Sequence, residues 1–289
     1  MIKEQWTIKS VLSWTQNYFE QKSVENPRLS AELLMADTLK LKRIELYLQF
    51  ERPLEKKELQ SFKQRILRRV KHEPVAYITG SKDFWDSSFE VSPHVLIPRP
   101  DTETLIETAI EHIDSKNTII KILELGVGSG AIIISLAKQF SQHVYFATDR
   151  SFPAICTAQK NSKRILKTNN VTFILCDWFY GFSTKHQFNL ILSNPPYIPT
   201  QDLKTLQPDI VNFEPSIALD GGENGLNHIH KLIQHAADYL TDDGLLMIEI
   251  GFDQSQTVKN FATSTEKYKN IQSIKDYAGH ERVVIMNKK

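Results

Sequence analysis

The chain has 289 residues, 41% of them hydrophobic and 24% charged, with a formal net charge of +1 and two cysteines. These values fit a globular protein of about two domains and exclude a disordered, collagen-like or disulfide-stapled chain. No run approaches the roughly 18 apolar residues of a membrane-spanning helix, and Lys3 and Glu4 stand where a leader peptide would place its apolar segment.

Residues 1–72 read as a small helical bundle. Ile8, Val11, Leu12, Tyr18 and Phe19 recur at helical spacing, and Asn26-Pro27 opens the next helix, with Asn as N-cap and Pro in the first turn. A third, short helix covers about 43–50. A fourth carries Leu59, Phe62, Ile66 and Val70 on one stripe, with Lys63, Arg65, Arg68, Arg69 and Lys71 mostly off it. Residues 1–80 hold 15 basic and 10 acidic side chains, against 20 and 24 in the remainder. The split suggests two modules, and the basic helix is expected to recruit a macromolecular substrate.

Pro74, Gly80, Pro93, Pro98 and Pro100 punctuate residues 73–100, which read as a β-hairpin linker with a strand near 88–91. A helix follows near 102–112, for which Asp101 is the expected cap. Strands are then expected at 119–125, 144–148, 171–175, 188–192, 245–250 and 282–286. Helices are expected at 130–138, 153–166, 227–239 and 255–268. Apolar strands alternating with helices predict a largely parallel sheet covered on both faces, in a domain from 101 to 289.

Two loops carry the chemistry. Glu124-Leu-Gly126-Val127-Gly128-Ser129-Gly130 lies between the first strand of that sheet and its helix, where open α/β sheets bind ligands. Glycines allow a tight turn there, and Asp149 ends the next strand, where a carboxylate can accept from ribose hydroxyls. Gly126-x-Gly128-x-x-Ala131 also satisfies the dinucleotide fingerprint. An acid before the first glycine, a third glycine at 130 and few cations nearby suit a cationic ligand better than a pyrophosphate.

The second loop, Ser193-Asn194-Pro195-Pro196-Tyr197, follows the fourth strand. Prolines stiffen a backbone and offer carbonyls without N–H groups. The Asn194 side chain and the Pro195 carbonyl can together accept both protons of a planar –NH₂ group, and Tyr197 can stack beside it. Acceptors placed in this way direct a weakly nucleophilic amide or aryl amine toward a methyl donor.

The first loop resembles motif I of class I S-adenosylmethionine methyltransferases, and the second resembles the signature of enzymes that methylate amide or exocyclic nitrogen. With Phe89-Glu-Val91, Val95-Leu-Ile-Pro-Arg99-Pro-Asp101-Thr-Glu103, Asp177-Trp178-Phe179, Glu214-Pro215-x-x-Ala218-Leu-x-Gly221-Gly222-x-x-Gly225-Leu226 and Asp276-x-x-Gly279-x-x-Arg282, the chain resembles the PrmC (HemK) family of release-factor glutamine N5-methyltransferases. Val127 and Asp101 depart mildly from the family's usual Thr and Glu.

The resemblance implies a Rossmann-like, mostly parallel seven-stranded α/β sheet with a small N-terminal helical bundle. It also implies that Glu124, Gly126, Val127, Gly128, Ser129, Gly130, Asp149, Asp177, Trp178 and Asn194 bind S-adenosyl-L-methionine. Asn194, Pro195, Pro196 and Tyr197 would hold the glutamine of the Gly-Gly-Gln motif of class I peptide chain release factors. Without the motif, a Trp after a strand is more often core packing than a ligand wall. Methylation of N6-adenine or N4-cytosine in nucleic acid uses the same Asn-Pro-Pro-Tyr chemistry. It is the alternative, disfavoured by the mildly acidic catalytic segment and the small basic module. A purely nucleotide-binding module would leave that loop unexplained. Cys156 and Cys176 lack partners at ligand spacing, so no metal is expected and the expected address is cytoplasmic, with neither membrane nor nucleic acid as partner.

Overall fold

The computed structural model describes residues 6–114, 118–168, 170–185 and 187–289. The reading of Lys3 and Glu4 as unlike a leader falls outside the described residues. The chain divides into two compact units, Met1–Gly80 with Gln207–Phe213, and Ser81–Leu206 with Glu214–Lys289.

The first unit is helical: α1 (Ile8–Gln21), α2 (Pro27–Leu39), α3 (Arg43–Leu48), α4 (Lys56–Arg69) and α5 (Val75–Thr79), joined by a later short helix, Pro208–Phe213. Its core gathers Ile8, Phe19, Leu34, Met35, Leu46, Phe62 and Ile66. Three- and four-residue spacing places the apolar stripe of α4 on this core. Asn26 stands at the N-cap of α2, but its side chain caps nothing. Its backbone is left-handed, at φ 48°, and its carbonyl accepts from Ser30 N at 2.8 Å. The expected linker also contains a helical turn, α5, which buries Tyr77 and Ile78 and ends at Gly80, so the helical unit runs past residue 72.

On the basic helix the arginines find partners within the unit. Arg69 is buried and donates to the carbonyls of Glu73 at 3.1 Å and Glu25 at 3.4 Å, with Asp209 3.8 Å away. Arg65 binds Asp37 at 2.7 Å, and Arg68 grips the carboxylate of Glu73. These three arginines have partners within their own unit, and Lys63, Arg68 and Lys71 are exposed.

The second unit opens with the hairpin β1 (Ser81–Phe84) and β2 (Ser87–Glu90). A 3₁₀ turn at Pro100–Thr102 leads into α6 (Glu103–Asp114). There follow β3 (Lys121–Leu125), α7 (Ala131–Gln139), β4 (Val144–Asp149), α8 (Phe152–Ile165), β5 (Val171–Leu175) and β6 (Phe188–Ser193). After the short helix α9 (Pro208–Phe213) come α10 (Asn227–Ala236), β7 (Leu240–Glu249), α11 (Ser255–Ser264), β8 (Tyr268–Lys275) and β9 (Glu281–Lys288). The seven strands lie in the order β5-β4-β3-β6-β7-β9-β8, with β3 to β7 parallel and β9 antiparallel to both its neighbours.

Period-two alternation sorts the apolar strand residues onto two faces. Ile122, Leu190, Leu192, Met247, Val283 and Ile285 join one core, with residues of α6 and α7 such as Ile106 and Ile133. Leu123, Leu125, Ile191, Leu246, Ile248 and Val284 join the other, with residues of α10 such as Ile229 and Leu232. Both faces are covered, hence the continuous Ile/Leu/Val runs. The boundaries that differ most from expectation are late in the chain. β7 begins at Leu240, before the Asp243-Gly244 turn, and the last helix stops at Ser264, so residues 265–267 form a turn and Tyr268 opens β8.

Candidate functional site

The glycine loop occupies the carboxyl end of β3. Its geometry is fixed by β4: the N–H groups of Gly126 and Val127 both donate to the Thr148 carbonyl at 2.9 Å. Gly126, Gly128 and Gly130 all have positive φ, which side chains disfavour. At Gly130, the N-cap of α7, a Cβ would in addition crowd Ile134 Cδ1 at 2.5 Å and Ala158 Cβ at 3.3 Å.

Two acids flank the turn. Glu124, on the face of β3 that meets α7, is buried and accepts from Ile133 N at 2.9 Å in the first turn of that helix. Burial raises its pKa well above the ordinary carboxylate range; the Ile133 bond opposes this and the Asp149 charge adds to it. Asp149, ending β4, accepts from Gly128 N at 3.0 Å and Ser151 N at 2.8 Å. Burial raises its pKa too, against those bonds and the neighbouring Arg150.

The Asn194–Tyr197 loop leaves β6 beside β3, where Ser193 Oγ donates to the Leu125 carbonyl at 2.8 Å. Asn194 Nδ2 donates to Thr102 Oγ1 at 3.1 Å, so its carbonyl end is the one left to accept from a ligand. The Tyr197 hydroxyl donates to Glu249 Oε1 at 3.2 Å, and its carbonyl accepts from Gln254 Nε2 at 2.9 Å. Gly225, at φ 70°, lets the glycine-rich segment approach this loop, because a Cβ there would lie 2.2 Å from the Tyr197 carbonyl oxygen.

One cleft in the second unit is lined by Glu124, Gly126, Val127, Gly128, Ser129, Asp149, Asp177, Trp178, Asn194 and Pro196. Gly130, Pro195 and Tyr197, in the same two loops, are not among its lining residues. Trp178 is half-buried; it packs on the second sheet core and also faces the cleft, with its ring 5.5 Å from that of His228. Asp177 pairs with Lys231 at 3.0 Å. Sequence reasoning did not single out His94, Thr102, Arg150 or His228, which also line the cleft. Asp101 does not cap α6: its carboxylate pairs with Arg282 at 3.1 Å, and Arg282 also binds Asp276. Arg99 pairs with buried Glu214, which also accepts from Ile97 N at 3.1 Å, tying two segments of the cleft together. Glu249 was missed as well, although an acid inside the apolar run Leu245–Ile250 is a signal in itself.

The donor set fits S-adenosyl-L-methionine. Three acids in a glycine-turned cleft suit ribose hydroxyls and a sulfonium cation, and Arg99 and Arg150 on the same wall suit a carboxylate. Among the described residues, no group of His, Cys, Asp and Glu could hold a metal ion, and no helix is long and apolar enough to cross a membrane.

Residues 10–80 match the family model of the PrmC N-terminal domain, and residues 102–223 match that of the methyltransferase small domain. The chain is 41% identical to a release factor glutamine methyltransferase of Geobacter sulfurreducens, over 91% of this chain and 90% of that one. It is 36% identical to a relative of the same description from Rhodopirellula baltica, over 98% and 97%. A crystal structure of a methyltransferase from Pyrococcus furiosus superposes with a TM-score of 0.53 at 19% identity, over 78% of this chain and 98% of that one, which supports the fold.

Proposed function

The chain belongs to the family of release factor glutamine methyltransferases, and from that we propose that it methylates the side-chain amide nitrogen of the glutamine in the Gly-Gly-Gln motif of class I peptide chain release factors. S-adenosyl-L-methionine, when bound, supplies the methyl group on its sulfonium sulfur. Asp149 and the turn 126–130 would hold the ribose and methionine portions, Trp178 would flank the adenine, and Glu124 and Asp177 would complete the acidic wall.

One observation carries the reading: Asn194 Nδ2 is already engaged by Thr102, which presents the opposite, acceptor end of the amide to a ligand in the cleft. With the Pro195 carbonyl it would accept both N–H protons of the substrate amide, and Tyr197 would stack on the amide plane. Binding in this pose turns the nitrogen lone pair toward the methyl group. The helical module, with Lys63 and Lys71 exposed, would extend recognition beyond one side chain, and the expected address is the cytoplasm, where release factors act.

Incubation with labelled S-adenosylmethionine and two acceptors, a purified release factor and an oligonucleotide, tests the reading. The expected product is the release factor heavier by one methyl on its Gly-Gly-Gln glutamine. Label in the oligonucleotide alone overturns the proposal.

A further inference from the structure

We propose that Glu249 is a positioning residue for methyl transfer, which holds the Asn194–Tyr197 loop in its working geometry from behind, through Tyr197. The proposal rests on the glutamine-methylation reading of that loop.

Glu249 ends β7 at 1% exposure, on the sheet face that meets α6. A lone carboxyl there is unfavourable, and an apolar side chain would suit the core better. Among the described residues no cation binds it directly: Arg282 spends its guanidinium on Asp276, Asp101 and the Ile250 carbonyl. What Glu249 does bind is the loop: Oε1 accepts from the Tyr197 hydroxyl at 3.2 Å. Gln254 holds the same tyrosine by its carbonyl, so ring and backbone are fixed at opposite ends.

Asn194, at the other end of the loop, is held separately: its Nδ2 donates to Thr102 Oγ1 at 3.1 Å. Glu249 Oε2 has no hydrogen-bond partner. One buried acid thus stands behind the stacking residue of the loop. The groups that face it are Tyr197 from the loop, Thr102 and Asp101 from the 3₁₀ turn, and Arg282 from β9. Burial raises its carboxyl to about 7, so its charge changes near neutral pH.

The test uses the full chain with Glu249→Ala, Glu249→Gln, Tyr197→Phe and the double variant Glu249→Ala/Tyr197→Phe. S-adenosylhomocysteine affinity should stay within about twofold of the parent, because the cofactor wall is untouched. The Glu249→Ala variant should lose about tenfold or more in kcat toward a release factor, with KM changed far less. The double variant should be no worse than the poorer single, since both act through one contact. The parent should lose kcat on acidification through neutrality, and Glu249→Gln should flatten that limb. Parental kcat in Glu249→Ala, or additive losses, overturns the proposal. Should Glu249→Ala fail to fold, an unchanged kcat in Tyr197→Phe, which removes only the hydroxyl, overturns it equally. A parent chain that methylates no release factor overturns the functional reading first, and this one with it.

Discussion

The side-chain nitrogen of Asn194 donates to the hydroxyl of Thr102 across 3.1 Å. An amide has one donor end and one acceptor end, so engaging the first decides which the cleft receives. Truncation in Asn194→Ala is expected to raise the barrier to methyl transfer by ~2.7–4 kcal/mol, the usual loss for one preorganised polar group. Thr102→Val preserves shape but frees the amide to rotate, and should cost about tenfold in kcat. Methylation assays on a purified release factor check both, and parental turnover in either variant contradicts the assignment.

Asp149 accepts from two backbone N–H groups, at Gly128 and Ser151, so it shapes the loop as well as facing the cleft. The variant Asp149→Ala should therefore weaken S-adenosylhomocysteine binding by about tenfold or more, and lower the melting temperature as the two donors lose their partner. Calorimetry showing unchanged cofactor affinity would falsify this role.

Gly130→Ala should be disruptive although it adds one methyl group. The new Cβ meets Ile134 and Ala158, and the backbone is left-handed at φ 84°. Overpacking and αL strain together should destabilise the fold by about 2–4 kcal/mol. Denaturant unfolding measures this directly, and a loss below about 1 kcal/mol contradicts the packing described.

Stability should fall as pH rises toward neutrality. Glu249 has a folded pKa of about 7 against an ordinary 4.5, so between these values the folded chain binds the extra proton. Protons favour the fold in that window, and the contribution is complete below about pH 4.5 and gone above about pH 7. The shift corresponds to about 3 kcal/mol at most. Glu124 and Asp149, also raised by burial, act in the same direction. Urea unfolding at several pH values should show a shallower slope in Glu249→Gln; an identical slope counts against the buried, proton-holding state of this acid.

On α4, charge alone does not assign a role. Arg69→Ala removes a buried guanidinium that serves two backbone carbonyls, and should cost about 3 kcal/mol in the helical unit. Reversal of Lys63 and Lys71, both exposed, should leave stability within about 0.5 kcal/mol while slowing association with a release factor at low salt. Thermal unfolding and kcat/KM at two ionic strengths separate these effects.

The sheet was legible where both faces are buried, because Leu190–Leu192 and Leu245–Ile248 read as unbroken apolar runs. β8 was not, since an edge strand pairs on one side only and Lys269, Asn270 and Gln272 lie among its apolar residues. The two loops could be read from spacing because glycine and proline constrain the backbone locally. Thr102 and Glu249 could not, because their roles arise from contacts 92 and 52 residues away in the chain. Arg65, Arg68 and Arg69 looked like a free basic face for the same reason: their carbonyl and carboxylate partners come from other turns of the unit.

The strand order has a consequence for how the chain reaches its fold. β9 follows β8 in sequence yet lies between β7 and β8, so β8 can join the sheet only by way of β9. During vectorial synthesis β7 therefore emerges with one hydrogen-bonding edge open, next to a carboxyl-bearing end that Arg282 has not yet reached. Local pairing of β8 with β9 is entropically cheap, so the two can dock as a finished hairpin, but until they do the β7 edge is a template for another chain. A ribosome stalled within β9, or a frameshift there, would release a nascent protein whose hazard is edge-to-edge aggregation rather than mere loss of activity.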